Sequence, residues 1–216
     1  TVKPAKFVIQ GAAVAGLQAI ATAKRLGGAV HAIDVRLAAK QDTESLGAKF
    51  IDVPGWKDAE SSSGHASLFT DKGLQEAFDN ALMESVKDAD VVITTARLFC
   101  KNAPKLFFGK EMNEKMTKEM KPRSVIVDMN SDTGGNIVDS IEGEIVEKDG
   151  VTIVGIPMLC RTIPNTASML YSNNIANFVT VLVDDGKLVI NQEEQVLTGD
   201  EGGICLLYTS DAADER

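Results

Sequence analysis

The chain has 216 residues, 44% hydrophobic and 25% charged, with a formal net charge of −9, the composition of an ordinary globular protein with room for one α/β domain and a portion of another. The acidic balance excludes a nucleic-acid partner, which needs a basic footprint. No apolar run approaches the roughly 18 residues of a membrane span and no signal peptide is visible, so this segment is expected not to insert into a membrane directly. Cys100, Cys160 and Cys205 form neither a metal-ligand spacing nor a disulfide framework, which suits a reducing compartment.

In chain order, residues 1–6 lead almost directly into a strand, so the chain is expected to be a piece of a longer one. Residues 7–9 are a short apolar run suited to a buried parallel strand. The small residues Gly11-Ala12-Ala13-Val14-Ala15-Gly16 make a turn into a helix over 17–26, rich in Ala, Leu, Lys and Arg. Gly27 and Gly28 stop that helix, and a second apolar run ends in Asp34. Strand, turn, helix, strand and acid follow the order of a dinucleotide-binding βαβ unit.

The chemistry explains the residue types. A diphosphate needs main-chain N–H groups at a helix N-terminus with no side chains in the way. Gly11 permits the tight turn and Gly16 permits close helix packing, while Ala13 puts a methyl where the backbone approaches the phosphates. Asp34 stands where an acid accepts hydrogen bonds from an adenosine ribose, and a carboxylate repels a 2′-phosphate, which favours NAD over NADP. The same glycines also serve mere packing of a wound sheet, and Asp34 also suits the cap of the next helix. Arg36 suits the adenine side or the solvated start of that helix.

Residues 36–46 are predicted as a second helix closed by Gly47, and 49–53 as a third strand. Residues 54–66 carry Gly55, Trp56, three serines, Gly64 and His65, a polar loop that reads as a mobile lid or as a plain surface connection. A crossover helix is predicted over 68–86 and a fourth strand over 91–95, followed by Ala96, Arg97 and a loop through Pro104. A helix over 110–120 leads to a strand over 124–128. Asp128 at its end suits a ligand contact or a cap on the next turn. A hairpin follows, 144–147 with 151–156 about Lys148-Asp149-Gly150, then a helix over 167–182 and a ribbon over 187–196. His31 reads as a packed strand residue.

The expected fold is thus α/β, a doubly wound parallel sheet of the Rossmann type in residues 1–184, with a C-terminal closing helix and a short β-ribbon. Residues 185–204 are expected to form an extended tail or ribbon. The last residues, 205–216, change character and are similar to a translated sequencing adapter, so they are expected to be non-native. Removing their three acids and one base changes −9 to −7, which leaves the chain acidic.

The segments GAAVAGLQAIATAKRLG, AIDVR, ESLGAKFIDV, DVVITTA, APKL, MKPRSVIVDM, GGN and GVTIVG together resemble the NAD(H)-binding component, domain I or the alpha subunit, of proton-translocating NAD(P) transhydrogenases. Alanine dehydrogenase is a looser relative. The resemblance covers residues 2–184 and implies NAD as cofactor, with hydride passed directly to an NADP-binding component and a membrane component coupling this to proton movement. It implies no catalytic side chain, since such a transfer needs neither acid, base nor nucleophile; no metal site is expected either, the cysteines having no metal-ligand spacing. It implies a homodimer of domain I, on the cytoplasmic face of the inner membrane or the matrix side of a mitochondrion.

Carried over by position, the resemblance implies a phosphate turn at Gly11, Ala13, Val14 and Gly16, and ribose contacts at Asp34, Val35 and Arg36. A mobile loop ends at Gly64, with His65 where the family has an aromatic, and further contacts fall on Ala96 and Arg97. Three departures lie on these loops. Ala13 replaces a glycine, Arg97-Leu98-Phe99-Cys100-Lys101 replaces an apolar residue and IPGK, and Met158-Leu159-Cys160-Arg161-Thr162 replaces a P-x-R element. Two alternatives to a transhydrogenase component follow, an alanine dehydrogenase-like amino acid dehydrogenase and a degenerate nucleotide-binding module.

Overall fold

The apolar runs become the strands of one sheet. A computed structural model describes residues 2–56, 71–97 and 102–189, in two compact units, one running through Met158 and the other from Leu159 onward. In the first unit, β1 (Lys6–Gln10), β2 (Ala29–Ile33), β3 (Lys49–Phe50), β4 (Val91–Thr94), β5 (Val125–Asp128), β6 (Ile145–Lys148) and β7 (Val151–Val154) pair in the order β3-β2-β1-β4-β5-β7-β6. All neighbours are parallel except β6, which closes the edge antiparallel to β7. The Rossmann-type expectation holds.

Helices cover both faces, which is why the strands are apolar on both sides. They are α1 (Val14–Arg25), α2 (Ala39–Ser45), α3 (Lys72–Val86) and α4 (Lys110–Glu119). Side-chain alternation along β1 divides the core between them. Val8 packs in a cluster with Phe78, Leu82, Leu106 and Met116, whereas Ile9 packs with Ile20, Ala23 and Phe50. Each fully buried side chain of this size stabilises the fold by about 1.5–3 kcal/mol.

Several element ends differ from the sequence reading. α1 starts at Val14, three residues before the predicted start, so Val14, Ala15 and Gly16 belong to its first turn. α2 is confined to Ala39–Ser45 and β3 to two residues. The predicted residues 68–70 of α3 lie outside the described residues. The predicted hairpin forms with shifted ends, Lys148 lying in β6 rather than in the turn: Asp149 and Gly150 adopt φ of 52° and 78°, the two positive values that a two-residue turn needs to match strand twist.

The second unit contains α5 (Pro164–Leu182), with proline in its first turn, and a two-stranded ribbon of β8 (Val183–Asp184) and β9 (Lys187–Leu188). Proline suits the first helical turn because its missing N–H would be unshared there. The later residues of the predicted ribbon and residues 205–216 lie outside the described residues. No described helix is long and apolar enough to cross a membrane.

Candidate functional site

β1 lies between β2 and β4, and the chain crosses from one side of it to the other after β3. At such a reversal the loops leaving two neighbouring carboxyl ends diverge and open a crevice. Gly11 leaves β1 with φ of +88°, and a Cβ there would lie 2.6 Å from Thr95 Oγ1 and 3.0 Å from the Ala96 nitrogen. At Gly16 a Cβ would fall 1.7 Å from the Gly11 carbonyl oxygen. The helix therefore sits on the turn with no room for any side chain at position 16.

Ala13 is the residue before the helix, with φ −89° and ψ −165°, an extended conformation that alanine adopts as readily as glycine. No side chain caps α1 and its first turn holds no acid. The first N–H groups of a helix have no intrahelical partner, and here they lie beneath small, exposed residues, with Val14 88% exposed. The positive end of the helix dipole adds to this anion-seeking character.

Asp34 follows β2 and is 6% exposed. Its Oδ2 accepts the Ala12 N–H at 2.7 Å, so the acid is bonded to the turn itself. Its Oδ1 accepts the main-chain N–H of Arg36 at 2.8 Å. The Arg36 guanidinium donates to both oxygens, Nε to Oδ1 at 3.2 Å and Nη2 to Oδ2 at 3.3 Å. Val35, between them, packs against the core.

The far wall is built at the end of β4. Thr95 donates its hydroxyl to the carbonyls of Gln10 and Gly11. The Ala96 carbonyl accepts from Asn130 Nδ2 at 3.0 Å and Asn136 Nδ2 at 2.8 Å. Asn136 also donates to the Pro104 carbonyl, so one buried amide holds both ends of the segment between. Asp128 is fully buried and accepts from the N–H groups of Asn130 and Ile137; it caps the turn. Arg97 is more than half exposed and pairs with Asp132 at 3.9 Å.

The structure thus brings Gly11, Ala13, Val14, Gly16, Asp34, Arg36 and Ala96 together at the carboxyl ends of β1, β2 and β4, with Arg97 next to Ala96. Gly64 and His65 lie outside the described residues. His31 is a half-buried strand residue whose imidazole pKa is lowered, first by burial and then by Lys6 and Lys49. Among the described residues no group of His, Cys, Asp and Glu is placed to hold a metal. Sequence reasoning missed Thr95, Asn130 and Asn136 as builders of the site. Thr95 was signalled only as the second hydroxyl of VVITT and Asn136 only as the asparagine after Gly134-Gly135, while Asn130 carried no signal.

A family model described as the alanine dehydrogenase/PNT C-terminal domain matches residues 1–205. The chain belongs to this family. Among curated relatives, an NAD(P) transhydrogenase subunit alpha protein of Rickettsia prowazekii is 43% identical over 195 residues, 89% of this chain and 49% of the relative. The protein of the same description from Rhodospirillum rubrum is 44% identical over 203 residues, 92% of this chain and 51% of the relative. A solved transhydrogenase structure from Sinorhizobium meliloti is 39% identical, with a TM-score of 0.69 over 90% of this chain and 49% of that one. The chain therefore spans about half the length of the relatives it matches.

Proposed function

We propose that this family member is the NAD(H)-binding component of a transhydrogenase whose partners hold NADP(H) and couple the reaction to proton translocation. The observation that carries the reading is the bond between Asp34 and the turn at Ala12, beside an α1 end that no side chain caps. A dinucleotide fits these groups: the main-chain N–H groups of residues 13–16 receive its diphosphate, and Asp34 accepts the adenosine ribose hydroxyls. Val14 stands against it, Val35 and Arg36 adjoin the sugar, and Ala96, Arg97 and Gly64 complete the contacts. When bound, the dinucleotide supplies a hydride that passes directly to a second nicotinamide. The chain's own residues orient and shield, and no side chain here has to manage a proton.

The transhydrogenase relatives, matched over most of the chain, support this reading over an alanine dehydrogenase-like one. The proposed partners are the NADP-binding and membrane components and a second copy of the same domain. The proposed location is the cytoplasmic face of the inner membrane, or the matrix side in a mitochondrion.

Calorimetric titration tests the proposal. The chain is expected to bind NADH more tightly than NADPH, and Asp34→Asn is expected to lose roughly 1.5–3 kcal/mol of NADH affinity, the worth of a charged hydrogen bond. Equal affinity for the two nucleotides, or an Asp34→Asn variant with unchanged NADH binding, overturns it.

A further inference from the structure

The Asp34 carboxylate has more donors than a ribose-binding acid can keep. Oδ1 accepts the Arg36 N–H and Nε, and Oδ2 accepts the Ala12 N–H and Arg36 Nη2. A carboxylate offers about four acceptor positions, and these four donors take them all. A ribose diol can be accepted only where the guanidinium lets go. The charge held responsible for refusing a 2′-phosphate is also neutralised by a cation two residues away, with the arginine side chain 21% and the carboxylate 6% exposed.

We infer that Arg36 is a specificity-determining residue, a latent receptor for the 2′-phosphate of NADP(H) that Asp34 holds in check. The guanidinium fork matches phosphate as well as carboxylate. The main-chain bond from Arg36 to Asp34 at 2.8 Å tethers residue 36 beside the sugar whichever partner its side chain takes. In the native chain Asp34 wins Arg36, and a 2′-phosphate meets an arginine already engaged. Where the carboxylate is absent, the same arginine becomes the phosphate's counterion. The inference rests on the reading of Asp34 as the ribose acceptor.

The test is titration of four proteins, wild type, Asp34→Asn, Arg36→Ala and the double variant, with NADH and NADPH at low ionic strength. In Asp34→Asn, NADPH is expected to bind about tenfold more tightly than in wild type, and the double variant is expected to lose that gain. The gain is expected to fall with added salt, as a charge contact does. Arg36→Ala, which leaves the acid in place, is expected to raise the preference for NADH over NADPH several-fold, and it tests the inference should Asp34→Asn fail to fold. An Asp34→Asn variant without the NADPH gain, a double variant that keeps it, or an Arg36→Ala variant with the wild-type preference overturns the inference. Where wild type binds NADH, those results leave the site reading standing; a wild type that binds no NADH overturns both.

Discussion

A methyl group at position 16 has nowhere to go, because it would meet the Gly11 carbonyl oxygen at 1.7 Å. Gly16→Ala is therefore expected to destabilise the fold by about 1–3 kcal/mol, the usual cost of overpacking, and to lower NADH affinity by displacing the N–H groups. Thermal melts with and without NADH measure both effects. Position 13 is different, because its backbone is extended and its side chain exposed. On the proposed site the methyl would face the diphosphate and no protein group, so Ala13→Gly is expected to tighten NADH binding by about 1 kcal/mol with little change in the melt; weaker binding by calorimetry contradicts this. Gly11, Gly16 and Asp34 were legible in the sequence because their spacing is local. Thr95 and Asn136 were not, since Thr95 bonds Gly11 across 84 positions and Asn136 bonds Ala96 across 40. No periodicity records such contacts.

At the scale of elements, the buried Asp79 of α3 accepts the N–H groups of Phe108 and Gly109 at 2.8 and 2.6 Å, which fastens α3 to the start of α4. Burial raises its carboxyl pKa above the ordinary 3.8, against the opposing pull of those two donors. A raised folded-state pKa means that the folded chain holds the proton longer than the unfolded one. This contribution to stability is present below about pH 3.8 and is lost as pH rises through the raised value. Asp79→Asn is expected to cost about 1–3 kcal/mol, because one amide oxygen serves two donors. The gap to wild type is expected to narrow as pH rises from 3.5 to 7, and melting across that range checks it; a widening gap contradicts the assignment.

Element types were legible because apolar strands and amphipathic helices have different periods. Their ends were less so. Val14-Ala15-Gly16 reads as turn in composition, yet it is the first turn of α1, since the close approach that demands small residues is made by the helix itself. The hairpin was legible as an element, because Asp149-Gly150 has few conformations open to it, but its strand ends were not, since Lys148 pairs with Val151 in the ladder rather than joining the turn.

For the whole molecule, strand order places the ends of β1, β2 and β4 side by side, and this alone brings residues 11–16, 34–36 and 96–97 together from three regions of the chain. The order was legible as a class, from strands alternating with helices. Because the proposed reading places NADP(H) on a partner component, the chain is expected to bind NADH but to pass no hydride to NADP⁺ by itself. Absorbance at the NADH band in a mixture of the chain, NADH and an NADP⁺ analogue checks this, and steady oxidation of NADH contradicts it.

The central claim concerns one place, the mouth of α1 between Gly11 and Asp34. A crystal structure of the chain with NADH tests it most directly. The account predicts the diphosphate on the N–H groups of residues 13–16 and the adenosine ribose hydroxyls on Asp34, with the Arg36 guanidinium moved off that carboxylate. A diphosphate bound elsewhere, or a ribose that leaves Asp34 on Arg36 and Ala12 alone, contradicts it.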